Sequence, residues 1–168
     1  YGKIKPLKVP KSDIKPFTLE EINQILENCR PDFKEYFLIR FFTGMRTGEI
    51  DGLQWKYVDL DNRQILVRQA LVGGELGYTK TDHSQREIEM SEPVYQAFKD
   101  LQSRTGHFQY VFVNKVGKPL EHNAVTKRVW YPLLRHLGIP ERNPYQMRHT
   151  AATLWLAAGE SPEWIAQQ

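Results

Sequence analysis

FFTGMRTGEI, residues 41–50, sets an arginine between two Thr-Gly pairs directly after an apolar run. The run from about Asp32 to Phe42 predicts an apolar helix, and Gly44 is a natural terminator for it. A further helix is expected from Thr47 or Gly48 onward, with Glu49, Ile50 and Leu53 on it. Arg46 therefore falls at a junction between two helices. Upstream, TLEEINQILENC opens with Thr18 and Glu21 in capping-box spacing, and Leu19, Ile22, Ile25 and Leu26 follow a helical stripe, so a helix is predicted there too. The apolar run YFLIRFF is broken by Arg40 and is far shorter than the ~20 residues of a membrane span.

A chain of 168 residues suits one domain with a substantial core. Hydrophobic residues make up 40% and charged residues 26%, which argues against disorder and against a membrane protein. Cys29 is the only cysteine, so neither an internal disulfide nor a cysteine-based metal cluster is possible, and a reducing setting fits best. The net charge of +3 is mild. Its distribution is more telling. Lys3, Lys5, Lys8, Lys11 and Lys15 crowd the start, Lys127, Arg128, Arg135, Arg142 and Arg148 the last third, and Glu87, Glu89, Glu92 and Asp100 gather between them. One face aimed at nucleic acid would be patterned this way, as would a solvated charged face.

Residues 1–16, rich in Lys and Pro, read as an extended linker, and residues 17–168 as the domain. In the middle the period changes: RQILVRQALV and REIEM are strand-like, and GGELGYTKTDHSQ between them predicts a mobile hairpin carrying Lys80. Helices resume at Ser91, with Val94, Tyr95, Phe98 and Leu101 inward. YVFVN is a short extended piece. A helix over about 123–137 is expected to be kinked or displaced by Pro132 and to stop at Gly138. Another runs from about Tyr145 to Ala158, and Ser161-Pro162 begins one more. The expected class is α+β, mainly helical, with a small antiparallel three-stranded sheet.

Arg46 at a helix junction, Lys80 in a turn region and Arg148 near the start of a helix form a set of cations with no complementary acidic run. Their surroundings, TGMRTGEIDGLQW, TKTDHSQREIEM and RHTAATLWLAAGESPEWIAQQ, resemble in this order three signature segments of the tyrosine recombinases, the phage integrases and their relatives. The resemblance covers residues 17–168.

Such enzymes attack a DNA phosphodiester with a tyrosine, hold the strand as a 3′-phosphotyrosine and rejoin it to another 5′-hydroxyl without metal, ATP or other cofactor. The resemblance implies that Arg46 and Arg148 stabilise charge on the nonbridging oxygens, work that suits a group making paired, charge-assisted hydrogen bonds without losing its proton. It implies that Lys80 protonates the departing 5′-oxygen. Glu49 matches an acidic position that would orient Arg46; the other reading is a favourable first-turn acid. Arg86 could contact backbone phosphate or pair across strands with Glu75, and Lys127 and Arg128 are further candidates for DNA. His149 fits the family pattern as a supporting residue. The implied partners are double-stranded recombination sites and other recombinase protomers in a synaptic tetramer, in the cytoplasm of a bacterial cell carrying a phage or mobile element, with no membrane involved.

The chain departs from the family pattern at Tyr145, which stands where histidine is usual. A phenol hydrogen-bonds phosphate but, with an ordinary pKa of about 10, shuttles protons poorly at neutral pH. The family's nucleophilic tyrosine is expected beyond Gln168, and an N-terminal DNA-binding domain is expected ahead of the linker. Trp55, Trp130 and Trp155 read as core or domain-face aromatics. His83, His107, His122 and His136 lack metal-ligand spacing. A strand-swivelling topoisomerase and a non-catalytic DNA-binding module are the competing readings.

Overall fold

The computed structural model describes residues 15–79 and 84–159. Helix α1 (Leu19–Asn28) starts on the anticipated capping box: the Thr18 hydroxyl accepts from the Glu21 N–H at 3.1 Å, and the Glu21 carboxylate accepts from the Thr18 N–H at 3.0 Å. A short 3-10 turn, Pro31–Phe33, leads into α2 (Lys34–Thr43), which ends on Gly44 in a left-handed conformation. Three residues later α3 (Thr47–Asp51) begins, so the helix–break–helix reading of residues 41–50 holds.

Helix α2 runs through the centre of the molecule, packed by α1, α4 (Glu92–Thr105) and α7 (Gln146–Ala157). Its Phe37 and Phe41 meet Trp130 at ring-centroid distances of 5.3 and 6.4 Å, and Phe17 closes the group edge-on at 5.5 Å from Phe41. Trp130 is fully buried and donates its indole N–H to the Arg142 carbonyl at 2.7 Å, so its polar edge is satisfied inside the core. Lys15, placed in the linker by composition, already donates its backbone N–H to Gln146, and Phe17 donates to Thr150, so the chain is fastened to α7 from residue 15 onward.

The stretch RQILVRQALV divides at Arg68 into two strands that join different partners. Strand β2 (Gln64–Val67) lies between β1 (Val58–Asp59) and β5 (Arg86–Glu89) in an antiparallel three-stranded sheet. Strand β3 (Gln69–Val72) pairs with β4 (Glu75–Tyr78) in a separate two-stranded ribbon. The sheet and a hairpin in GGELGYTKTDHSQ were both expected, and β4 is the second strand of that hairpin. Gly73 and Gly74 supply the two positive φ angles that a tight hairpin turn needs, and the strands pair right up to it. Strand β3 packs on α3 through Ala70 and Leu71. A side chain at Gly48 would place its Cβ 2.7 Å from the Leu71 carbonyl oxygen, so only glycine permits this approach.

The helix containing Pro132 is neither broken nor shortened. α5 (His122–Val125) passes into a π-helical stretch, Thr126–Trp130, and then into α6 (Tyr131–Leu137). The Tyr131 N–H reaches back to the Thr126 carbonyl. Pro132 has no N–H to give and its ring crowds the preceding turn; one wider turn immediately before it relieves both problems. Among the described residues no helix is long and apolar enough to cross a membrane. The helix expected after Ser161 lies outside the described residues.

Candidate functional site

Arg46 immediately precedes α3, and Glu49 sits one turn in. One Glu49 oxygen, Oε1, accepts the Arg46 backbone N–H at 2.8 Å, while Oε2 lies 3.5 Å from the Arg46 guanidinium. Glu49 thus satisfies a helix N-terminus and faces the arginine. Its main partner is a residue that sequence reasoning assigned elsewhere. Arg86 donates Nη1 to Oε2 at 2.8 Å and Nη2 to Oε1 at 3.0 Å, a two-pronged pair buried at both ends. Neither of the two readings given above for Arg86, a phosphate contact or a pair with Glu75, describes this arrangement. The period-two alternation of β5 explains it. Arg86 and Ile88 point inward while Glu87 and Glu89 point out, and Glu75 belongs to the ribbon instead of the neighbouring strand.

Arg148 comes from the first turn of α7 and donates a guanidinium N–H to the carbonyl of Gly44, the residue that caps α2. Burial, followed by the positive charges of Arg46 and Arg86, holds its guanidinium below the ordinary value, with Glu49 and Tyr145 acting the other way. It remains a cation. Burial alone would raise the Glu49 carboxyl, but the hydrogen bonds and charge of Arg86, helped by Arg46, hold it below the usual carboxylate range. Arg46 and Arg86 thus share the Glu49 carboxylate, and Arg148 lies within the field of the same three charges. The surplus positive charge is open to solvent through Arg46, whose side chain is 47% exposed.

Arg46 and Glu49 line a cleft of about 540 Å³ with Gly48, Tyr78, Thr79 and Ser84. Lys80 lies outside the described residues; Thr79, its neighbour in the chain, forms part of the cleft wall. Tyr145 is 46% exposed at the start of α7 and meets His149 edge-on at 5.0 Å. Lys127 and Arg128 are exposed on the π-helical stretch and do not line this cleft. Of the other late basic residues, Arg135 pairs with Glu141 and Arg142 with Glu21. Trp130 is core, as anticipated, and Trp55 is half-buried with its N–H on the Thr105 carbonyl. Among the described residues no group of His, Cys, Asp or Glu side chains could hold a metal ion.

Behind α3, Asp51 is buried and accepts the Tyr36 hydroxyl at 2.8 Å. Burial pushes its carboxyl up to about 6, against the pull of Tyr36 and the Arg40 charge. The folded chain thus keeps a proton that the unfolded chain releases at lower pH. Stability falls as pH rises from the unfolded value through about 6, by on the order of 2–3 kcal/mol in total. Asp51→Asn, which keeps an acceptor for Tyr36, is expected to melt higher than the native chain near neutral and alkaline pH. That advantage should vanish below pH ~4, where the native carboxyl is protonated in both states. Thermal denaturation of both proteins across this range checks the sign.

A model of the phage integrase family matches residues 15–168. The prophage integrase IntR of Escherichia coli (strain K12) is 29% identical, the alignment covering 96% of this chain and 46% of that protein. The transposase from transposon Tn916 of Enterococcus faecalis is 28% identical, over 92% of this chain and 44% of its own. Among solved structures, the Tn1549 transposon integrase in complex with transposon right end DNA superposes with a TM-score of 0.84 at 24% identity, covering 96% of this chain and 60% of that one. XerA recombinase gives 0.77 at 23% identity, covering 97% and 57%. At such identities these two likenesses concern the fold. The chain spans about half the length of the curated relatives it matches.

Proposed function

Because this chain belongs to the phage integrase family, we propose that it forms the phosphate-gripping part of a site-specific DNA recombinase that breaks and rejoins strands through a 3′-phosphotyrosine. The observation that carries this reading is the bond from Arg148 to the Gly44 carbonyl, two residues before Arg46, which joins segments about a hundred residues apart beside the Arg86–Glu49 pair, with Arg46 exposed in the wall of a cleft. In this reading Arg46 and Arg148 bind the two nonbridging oxygens and strengthen their hold as charge grows on them in the pentacoordinate state. Glu49 and Arg86 fix Arg46 from below. Tyr145 donates its hydroxyl to one of the same oxygens, and His149 supports that ring from the next turn of α7. A tyrosine oxygen attacks phosphorus, the bond to the 5′-oxygen breaks, and Lys80 gives that oxygen its proton; the reverse sequence reseals the strand. The Lys- and Pro-rich start, residues 1–16, serves as the linker to a DNA-binding part, while Lys127 and Arg128 meet backbone phosphate. The partners are double-stranded recombination sites and further protomers, in a bacterial cell carrying a prophage or transposon, as the names of the relatives suggest.

Two measurements test this. Incubated with a nicked duplex that prevents religation, the full-length protein should form a covalent protein–DNA species that is destroyed by protease but not by chelators. Intact DNA binding with no such species would favour a non-catalytic DNA-binding module instead. Duplex affinity should also fall with salt by about 0.9 log units per phosphate contact for each log unit of salt. A flat response would exclude a phosphate-reading surface.

A further inference from the structure

Arg40 stands in the middle of α2, between Ile39 and Phe41, and is 2% exposed. A guanidinium cannot shed its charge, so burying one is unfavourable unless its N–H groups find acceptors. The acceptors here are particular. Its Nη2 donates to the Thr47 hydroxyl at 2.8 Å and, at a longer 3.4 Å, to the Pro144 carbonyl. Thr47 directly follows Arg46, and Pro144 directly precedes Tyr145, four residues before Arg148. One nitrogen thus joins the two chain segments on which the arginines are mounted.

The remainder of the surroundings holds that nitrogen in place. The guanidinium lies 5.8 Å from the centre of the Tyr36 ring, and the Tyr36 hydroxyl is tied to Asp51 at the far end of α3. Nε is buried with no hydrogen-bond partner among the described residues. A side chain wanted only for filling would be better apolar at such a position, since even with the Asp51 charge nearby a buried guanidinium with an unsatisfied donor is often no better than a hydrocarbon of similar volume. What an apolar side chain could not do is hold α3 and the start of α7 at a fixed separation.

We propose that Arg40 is a positioning residue, a buried brace that sets the spacing between Arg46 and Arg148 so that both reach one phosphate group. The proposal rests on the reading of those two arginines as a phosphate clamp, and the test separates the two ideas. The probe is a short fluorescein-labelled duplex of arbitrary sequence, titrated with the full-length protein at several salt concentrations, alongside thermal melting of every variant. Arg40→Met is expected to weaken binding about tenfold and to flatten the salt dependence by one or two contacts. Thr47→Val, which removes only the hydroxyl at one end of the brace, should weaken it about threefold with little change in melting. In the Arg46→Ala/Arg148→Ala background neither change should weaken binding further, because nothing is left to position.

An Arg40→Met protein that melts lower yet keeps the native affinity and salt slope overturns the brace and leaves Arg40 a core residue. If Arg40→Met does not fold, Thr47→Val decides: native affinity in that variant overturns the proposal, and the expected loss, absent in the double-alanine background, supports it. If Arg46→Ala/Arg148→Ala itself binds as tightly as the native protein, the clamp reading falls and the brace falls with it.

Discussion

Under the proposed function, replacing Arg148 by alanine is expected to slow strand cleavage by a hundredfold to a thousandfold, the scale seen when one donor aimed at transition-state charge is removed, about 3–4 kcal/mol. The geometry gives a reason to expect the upper part of that range. Arg148 is half-buried, lies among like charges, and is anchored on the Gly44 carbonyl, so its position is set before any substrate arrives. A pre-positioned cation spends nothing on reorganisation when charge develops on the phosphorus-bound oxygens. Arg148→Lys keeps the charge but not the planar fork, and should recover only part of the rate. Single-turnover cleavage of a nicked duplex measures all three proteins. A rate for Arg148→Ala within about threefold of the native one would remove this arginine from the reacting centre.

The largest effect on stability is expected at Glu49. Glu49→Gln is nearly isosteric, yet it leaves the Arg86 guanidinium buried without its counter-charge; breaking a buried pair from one side costs about 3–5 kcal/mol. Chemical denaturation at neutral pH should show a loss of this size. Adding Arg86→Met to the same protein should restore much of it, because the stranded charge goes as well. The native Glu49 carboxyl is held below its ordinary value, so its contribution is present above that ordinary value and disappears as pH falls through the lower, folded one. The deficit of Glu49→Gln should therefore narrow in acid. Inorganic phosphate should stabilise Glu49→Gln more than the native protein, since an anion can take the place of the missing carboxylate beside Arg46 and Arg86. Equal stabilisation of the two proteins by phosphate would mean that the site does not receive anions.

Features that depend on local rules were legible before the coordinates were known. The Thr18 capping box, the stop at Gly44, the restart at Thr47 and the sheet around Ile65 and Ile88 follow from side chains acting within a few residues of themselves. The same holds for the placing of Arg46 at a helix junction. Features that depend on the tertiary partner were not. Residue 86 offers a charge in an alternating strand, and nothing within REIEM says that the inward face meets a carboxylate 37 positions earlier. Arg40 was visible only as an interruption in YFLIRFF; its acceptors come from α3 and from a proline about a hundred residues away. The π turn ahead of Pro132 is a third instance, since a proline in a helical pattern signals a disturbance without saying which form it takes.

The close approach at Gly48 has a mechanical consequence. The β3–β4 ribbon is pinned on α3 at Ala70 and Leu71, beside its Gly73–Gly74 turn, and at the turn itself no described residue comes within 4 Å of where side chains would begin. A load on the turn is taken up within a few residues, by the helix whose start seats Arg46 and Glu49. The same ribbon ends at Tyr78, two positions before Lys80 in the chain. Whatever presses on the turn therefore bears at once on the mounting of Arg46 and, through β4, on the chain that leads to residue 80.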